Sequence, residues 1–99
     1  MYQIDQTETF RAWLDSLRDP KGKGRILARL TAAMQGNFGD CRSVGRGVFE
    51  MRIHVGPGYR VYFTRTGSTV YLLLCGGDKD TQAKDIKKAQ ELAEAFKGS

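Results

Sequence analysis

Apolar residues in the first third of the chain recur every three or four positions, which predicts two helices. Thr7 is suited to cap the first helix, and Asp19-Pro20 ends it. The second helix is expected over residues 24–35, with Gly36 in the left-handed conformation that often ends a helix. We expect the two helices to pair as a hairpin. The positions expected to face the core are Phe10, Trp13, Leu14 and Leu17 in the first helix and Ile26, Leu27, Leu30 and Met34 in the second.

Further along the chain the period of the pattern changes to two, which predicts a β-hairpin. Residues 48–55 and 59–64 alternate apolar and polar side chains on either side of a Gly-Pro-Gly turn. Cross-strand partners share a face of the sheet, so apolar residues must meet apolar ones. A three-residue loop meets this condition by pairing Val55 with Tyr59.

This register also determines which side chains point away from the core. It sets His54 opposite Arg60, and Arg52 opposite Tyr62. We therefore expect these four polar side chains to form one patch that is exposed to solvent.

Residues 69–75 are apolar at nearly every position, which is typical of an interior strand covered on both faces. A loop is expected over residues 76–80, and Asp80 or Thr81 should cap a last helix that ends near Phe96. The first few residues could add another short strand. The element order predicts an α+β fold, in which two N-terminal helices pack on a small antiparallel sheet of roughly three to five strands, with a C-terminal helix.

Length and composition narrow the class of protein. Ninety-nine residues, 40% of them apolar and 27% charged, fit one compact domain over residues 1–99. No apolar run is long enough to span a membrane and the N-terminus lacks the form of a signal peptide, so we expect a cytoplasmic protein with no membrane partner. Cys41 and Cys75 form no CxxC pair and His54 is the only histidine, so we expect reduced thiols, no metal and no cofactor.

Positive charge is concentrated in the predicted sheet. Sixteen Lys and Arg against eleven Asp and Glu give a net charge of +5, which favours an anionic partner without identifying it. Between residues 41 and 65 the only acid is Glu50, whereas the arginines there are Arg42, Arg46, Arg52, Arg60 and Arg65.

Three stretches of the chain together resemble a known family. They are GDCRSVGRGVFEMRIHVGPGYRVYF (residues 39–63), LLLCGGDKDTQAKDIKKAQELA (residues 72–93) and KGKGRILARL (residues 21–30). They resemble the addiction-module killer proteins of the Gp49/HigB-like group within the RelE/ParE superfamily. The strongest match is to the "G…ElR…gyRvyy" signature, in which methionine at position 51 replaces the commoner leucine.

The resemblance implies a RelE-like fold and the toxin role of a type II toxin–antitoxin pair. It implies a cognate antitoxin, in this group usually a helix-turn-helix DNA-binding protein. Most RelE-like toxins cleave mRNA in the ribosomal A site, so the resemblance also implies an mRNA interferase that inhibits translation, with the ribosome and mRNA as partners.

Cleavage of RNA by its own 2′-hydroxyl requires a base, cations near the phosphorane and a proton for the leaving oxygen, and it does not require a metal. Arg60, which matches the signature arginine, can hold phosphate oxygens with two parallel hydrogen bonds. Histidine side chains can accept or donate a proton near neutral pH, which makes His54 the candidate base or acid. Lys79 is the candidate for stabilising charge or donating a proton, because GGDKD stands where several RelE-like toxins carry catalytic Tyr or His residues.

Further residues are candidates for binding RNA without taking part in the chemistry. Arg52 is a possible second phosphate ligand or a structural partner of Glu50, and Tyr62 could stack on a base. The basic residues of the second predicted helix, suited to ribosomal RNA, are Lys21, Lys23, Arg25 and Arg29.

Two other functions fit the same resemblance. In the ParE mode the scaffold poisons DNA gyrase and performs no chemistry itself. The chain could also be a degenerate toxin that is retained as an antitoxin-binding module. A histidine beside the hairpin arginine favours the ribonuclease over the ParE mode, and the degenerate-toxin alternative stays open.

Overall fold

A sheet with helices on both faces forms the protein, in a computed structural model that describes residues 2–67 and 70–97. The elements are β1 (Gln3–Gln6), α1 (Glu8–Ser16), α2 (Pro20–Met34), β2 (Cys41–Gly45), β3 (Val48–Ile53), β4 (Tyr59–Arg65), β5 (Val70–Asp78), a 3-10 turn (Lys79–Thr81) and α3 (Gln82–Lys97). The strand order is β1-β5-β4-β3-β2, with β1 parallel to β5 and every other pair antiparallel. The α+β fold class is confirmed. No helix within the described ranges is long and apolar enough to cross a membrane.

Each of the first two helices begins at a side-chain cap. The predicted cap of α1 is confirmed, since Thr7 Oγ1 accepts a hydrogen bond from the Phe10 amide at 3.0 Å. Helix α2 begins four residues before the predicted position, because Asp19 caps it and Pro20 fits the first helical position. The main contacts of α1 are with β5 and those of α2 are with β1 and β3, so each helix rests on the sheet. Phe10 and Leu14 of α1 share one core cluster with Ile26 and Ala33 of α2, and the pairing of the two helices as a hairpin stays a prediction.

The buried side of α2 also differs from the prediction. Ile26 and Ala33 are buried, whereas Leu27 is 47% exposed and Met34 is 38% exposed. The helix approaches the sheet through Gly22, Ile26 and Ala33 because a small residue at each end permits close contact. Leu27 and Met34 therefore lie on its flank.

The hairpin of β3 and β4 keeps the predicted faces but not the predicted register. Ile53 pairs with Tyr59 and Met51 with Val61, so the partners are shifted by two residues and the loop spans residues 54–58. The physical reason lies in the loop, where the Val55 amide donates to the Ile53 carbonyl at 2.9 Å and ends the ladder there. Apolar still meets apolar, but His54 leaves the strand for the loop.

The second face of the sheet is covered over Tyr62, so the expected solvent-exposed patch was wrong for this residue, whereas His54 is exposed and Arg52 and Arg60 are partly exposed. Helix α3 lies on this face and buries Tyr62 completely, with Val48, Leu74, Ala89 and Ala93 in the same cluster. The interior position predicted for β5 is confirmed, because it lies between β1 and β4 with α1 on one face and α3 on the other.

The end of β5 and the start of the last helix were also predicted incorrectly. Strand β5 continues to Asp78 through the expected loop, and Asp78 rather than Asp80 or Thr81 caps the turn that leads into α3. Strand β2 was not predicted at all, because its sequence CRSVG has too little alternation to mark a strand.

Candidate functional site

One end of the sheet brings together loop 54–58, the first turn of α2 and the turn after β5. Tyr59 Oη donates to Asp19 Oδ2 at 2.9 Å, which joins the start of β4 to the N-cap of α2. A Cβ placed on Gly58 would lie 3.5 Å from the Cβ of Lys79, so Lys79 flanks the same loop. We call this region the hairpin end, and its candidate residues are Arg52, His54, Arg60 and Lys79.

The N-terminus of α2 supplies further cations near the hairpin end. The Gly22 amide and the Tyr59 hydroxyl donate to Asp19 and lower the pKa of its carboxyl group. Burial, and then the bond to Asp19, raises the pKa of Tyr59, so the donor stays protonated. Three of the predicted RNA-binding residues lie on the first half of this helix, with Lys21 and Arg25 exposed and Lys23 partly exposed.

Arg52 and Arg60 are cross-strand partners with different surroundings. Arg52 makes two hydrogen bonds to Asp40 Oδ1, from Nη2 at 2.7 Å and from Nε at 3.2 Å. These bonds raise the pKa of Arg52. Arg60 makes no hydrogen bond or ion pair with the described residues, and its Nε is buried without a partner. The hairpin end therefore holds one neutralised arginine beside one that is not neutralised.

Asp40 was not among the residues predicted from the sequence, yet it also contacts His54. Its Oδ2 lies 2.5 Å from His54 Nε2. The bond to His54, followed by the bonds to Arg52, lowers the pKa of the Asp40 carboxyl group. The contact was missed because strand β2 was not predicted. In this strand Cys41 pairs with Met51, which places the preceding residue, Asp40, opposite Arg52.

Arg29 has a structural role in the site. Its Nη1 donates to the Arg52 carbonyl at 2.6 Å and its Nη2 to the Phe38 carbonyl at 3.0 Å. The guanidinium thus holds the 38–40 segment against β3. Both of its terminal nitrogens contact backbone carbonyls, and the prediction that Arg29 also binds RNA stays a prediction.

A family comparison identifies the class of protein that carries this arrangement. The model of the family described as "Phage derived protein Gp49-like (DUF891)" matches residues 12–96. The chain belongs to the Gp49-like family. This family is one of the RelE/ParE-type toxin families. An uncharacterized protein of Haemophilus influenzae (strain ATCC 51907 / DSM 11121 / KW20 / Rd) is 50% identical to the chain over 92 residues, which cover 93% of each sequence.

In this Gp49-like chain Tyr62 belongs to a buried polar cluster rather than to an RNA surface. Tyr62 Oη donates to Glu50 Oε2 at 3.0 Å, Gln82 Nε2 donates to the same oxygen at 2.9 Å, and Arg42 Nε donates to Oε1 at 3.0 Å. Burial raises the pKa of Glu50, but the three hydrogen bonds outweigh burial and the pKa is lowered. The structural partner of Glu50 is therefore Arg42, not Arg52, and Tyr62 is inaccessible to a base.

Neither cysteine of the Gp49-like chain offers a nucleophile. Burial raises the pKa of Cys75 to about 12 and also raises the pKa of Cys41, so both remain thiols at neutral pH. Within residues 2–67 and 70–97, no group of three or more His, Cys, Asp or Glu side chains is arranged to hold a metal ion. The chemistry available at the hairpin end consists of cations, an imidazole and a carboxylate.

Proposed function

We propose that this chain is the toxin of a type II toxin–antitoxin pair and acts as a ribosome-dependent mRNA endoribonuclease that inhibits translation. Its membership of the Gp49-like family supports the toxin role and, with it, an antitoxin partner. The ribonuclease assignment, the cytoplasmic location and the ribosome and mRNA as partners belong to the proposal. So does the antitoxin's class, a helix-turn-helix DNA-binding protein.

The observation that carries the proposal is the environment of Arg60. Its guanidinium has no partner among the described residues, and its Nε is buried without a hydrogen bond. A guanidinium binds a phosphate group through two parallel hydrogen bonds, and no hydrogen bond or ion pair with the described residues would have to be broken at Arg60 first. Arg60 is therefore suited to bind a phosphate that becomes more negative during reaction.

The side chains of the hairpin end can supply each step of RNA cleavage without a metal. The 2′-hydroxyl transfers its proton to His54, and the 2′ oxygen forms a bond to phosphorus while Arg60 stabilises the phosphorane charge. The P–O5′ bond then breaks. Lys79 donates a proton to the leaving 5′ oxygen, so the products are a 2′,3′-cyclic phosphate and a 5′-hydroxyl end. His54 and Lys79 regain their starting protonation states by exchange with water.

The basic first half of α2 is assigned to binding rather than to chemistry. Lys21, Lys23 and Arg25 carry three positive charges beside the hairpin end, and such a group favours the phosphate backbone of ribosomal RNA. Since His54 is 70% exposed, the free protein does not enclose a substrate. We therefore expect the ribosome to align the scissile phosphate, and the protein alone to cut naked RNA poorly.

The decisive experiment is to induce the chain alone in bacteria, map mRNA ends and assay DNA supercoiling in the same cultures. New mRNA ends at in-frame codon positions support the proposal. Gyrase-linked DNA breaks with intact mRNA would instead establish the gyrase-poison mode.

The same cultures should carry Arg60→Ala and, as a matched control, Arg11→Ala on the exposed surface of α1. Loss of a transition-state ligand costs roughly 3–4 kcal/mol, a hundredfold or more in rate, so Arg60→Ala should abolish growth arrest. Arg11→Ala should behave as the parent does. Arrest by both variants would contradict the assignment of Arg60.

A further inference from the structure

We propose that Asp40 is a positioning residue, which holds His54 in the orientation needed for a general base and stabilises the imidazolium formed when that base accepts a proton. This inference rests on the proposed ribonuclease function. It adds a residue that neither the sequence pattern nor the family signature singles out.

The backbone of Asp40 is fixed from two sides. The Arg52 amide donates to the Asp40 carbonyl at 2.9 Å, which extends the β2–β3 ladder by one residue. Arg29 Nη2 lies 3.4 Å from the same carbonyl and 3.0 Å from the Phe38 carbonyl. The carboxylate therefore projects from a defined backbone position although its side chain is 35% exposed.

The two carboxylate oxygens have separate partners. Oδ1 accepts both hydrogen bonds from Arg52, and Oδ2 contacts His54 Nε2. An ionised carboxylate only accepts hydrogen bonds, so the proton of the neutral imidazole resides on Nε2. Nδ1 then carries the lone pair that accepts the proton of the RNA 2′-hydroxyl. This is the part played by the aspartate behind a catalytic histidine, which orients the ring and stabilises the imidazolium.

Charged side chains of both signs lie at the hairpin end with His54. Arg52 lies on β3, Arg60 on β4, Lys79 follows β5, and Arg29 of α2 lies behind the Asp40 carbonyl. Asp40 is the acid in direct contact with the ring. Asp19, which accepts from Tyr59, and Asp78, the cross-strand partner of Tyr59, also lie at the hairpin end. Without Asp40, the imidazolium produced by proton abstraction would lose its direct acidic contact.

The test is a direct NMR titration of His54, which is the only histidine in the chain and gives an unambiguous signal. Asp40→Asn should lower the measured pKa of His54, because an adjacent opposite charge favours the charged form. Arg52→Met removes the other partner of Asp40 and should shift that pKa upward. Asp15→Asn, an exposed acid on α1, is the matched control and should leave it unchanged.

Activity on ribosomes supplies the second readout. Asp40→Asn should reduce the cleavage rate and move the acidic limb of the pH–rate profile to lower pH, by the same amount as in the titration. In a His54→Gln background, Asp40→Asn should cause no further loss of rate. Equal His54 pKa values in the parent and Asp40→Asn, or an unchanged cleavage rate, would overturn the proposal.

The two readouts separate this proposal from the proposed function. A parent protein that shows the expected titration but cuts no mRNA on ribosomes would refute the ribonuclease, and with it the catalytic use of the Asp40–His54 pair. A parent that cuts mRNA while Asp40→Asn shows no pKa change would refute only the role of Asp40. If Asp40→Asn does not fold, Arg52→Met supplies the test. The absence of the expected upward shift in the pKa of His54 would then overturn the proposal.

Discussion

Arg52 and Arg60 face each other across the β3–β4 pair, and within the described residues only Arg52 has an acidic partner. Like charges directly opposite on neighbouring strands destabilise a sheet, in the range of about 0.2–1 kcal/mol. Arg42 and Arg52 are neutralised by Glu50 and Asp40 respectively. Arg60 thus occupies an unfavourable position in the sheet, and such local conflicts are expected where a protein binds or reacts.

We predict that Arg60→Met leaves the free energy of unfolding unchanged or raises it by about 0.2–1 kcal/mol, because it removes the like-charge pair and the buried unbonded Nε. Growth arrest should nevertheless be lost. Arg60→Lys should restore arrest only in part, since an ammonium keeps the charge but lacks the planar pair of donors. Urea unfolding and growth on induction check both variants. An Arg60→Met protein that unfolds more easily than the parent would show that Arg60 is a structural residue.

We predict that Tyr62→Phe lowers stability and leaves cleavage intact. The hydroxyl of Tyr62 donates to the buried carboxylate of Glu50, and loss of such a donor costs about 1–3 kcal/mol. Urea unfolding should show the loss, and ribosome assays with folded protein should show the parent's rate. Tyr62→Leu should behave in the same way, because no aromatic ring is needed for stacking at a buried position. A cleavage defect in a stable Tyr62→Leu protein would show that Tyr62 contributes to RNA binding or cleavage.

The alternating pattern predicted the face of the sheet on which Tyr62 lies but not its cross-strand partner. Alternation correctly identified which side chains of β3 and β4 share a face, because that depends only on parity. It did not identify the register, which depends on where the chain leaves the ladder. Here Val55 turns back onto Ile53, and the resulting five-residue loop is set by hydrogen bonds that no apolar pattern records.

The sequence predicts only in part that a helix covers the second face of the sheet. The apolar run of β5 predicted that this strand is covered on both faces, yet Tyr62 was assigned to solvent because it is polar. A polar residue satisfied by buried partners looks the same in sequence as one that is hydrated. Asp40 was missed for a related reason, since its contacts with Arg52 and His54 depend on a short strand with little alternation.

We predict that Gly76→Ala destabilises the protein by about 1–3 kcal/mol, the usual cost of overpacking. A Cβ at this position would lie 2.3 Å from Trp13 Cε3, so the helix α1 would have to move from β5. Gly24→Ala is the matched control, because a Cβ there meets nothing within 4 Å. In a helix this change should stabilise by about 0.5–1 kcal/mol. The fluorescence of the single tryptophan follows both unfolding curves, and equal stability of the two variants would contradict the prediction.

The buried carboxylate of Glu50 should make stability depend on pH in the acid range. Its pKa is lowered in the folded protein, because hydrogen bonds from Gln82, Arg42 and Tyr62 outweigh the opposing effect of burial. A group with a lowered folded pKa contributes stability that is present above its unfolded pKa, about 4.3 for Glu, and is lost as pH falls through the folded value. Below that range the protonated carboxyl no longer pairs with Arg42.

We therefore predict that Glu50→Gln reduces the free energy of unfolding at neutral pH by about 1–3 kcal/mol and flattens its decline in acid. Urea unfolding of the parent and Glu50→Gln, from neutral pH to about pH 3, measures both effects. Asp19 and Asp40 also have lowered pKa values and are present in both proteins, so the difference between the two curves isolates Glu50. The gap should be widest near neutrality and narrow as pH falls. Parallel curves across the whole range would mean that the folded protein is equally stable with Glu50 ionised or protonated. The three hydrogen-bond donors would then not favour the ionised form.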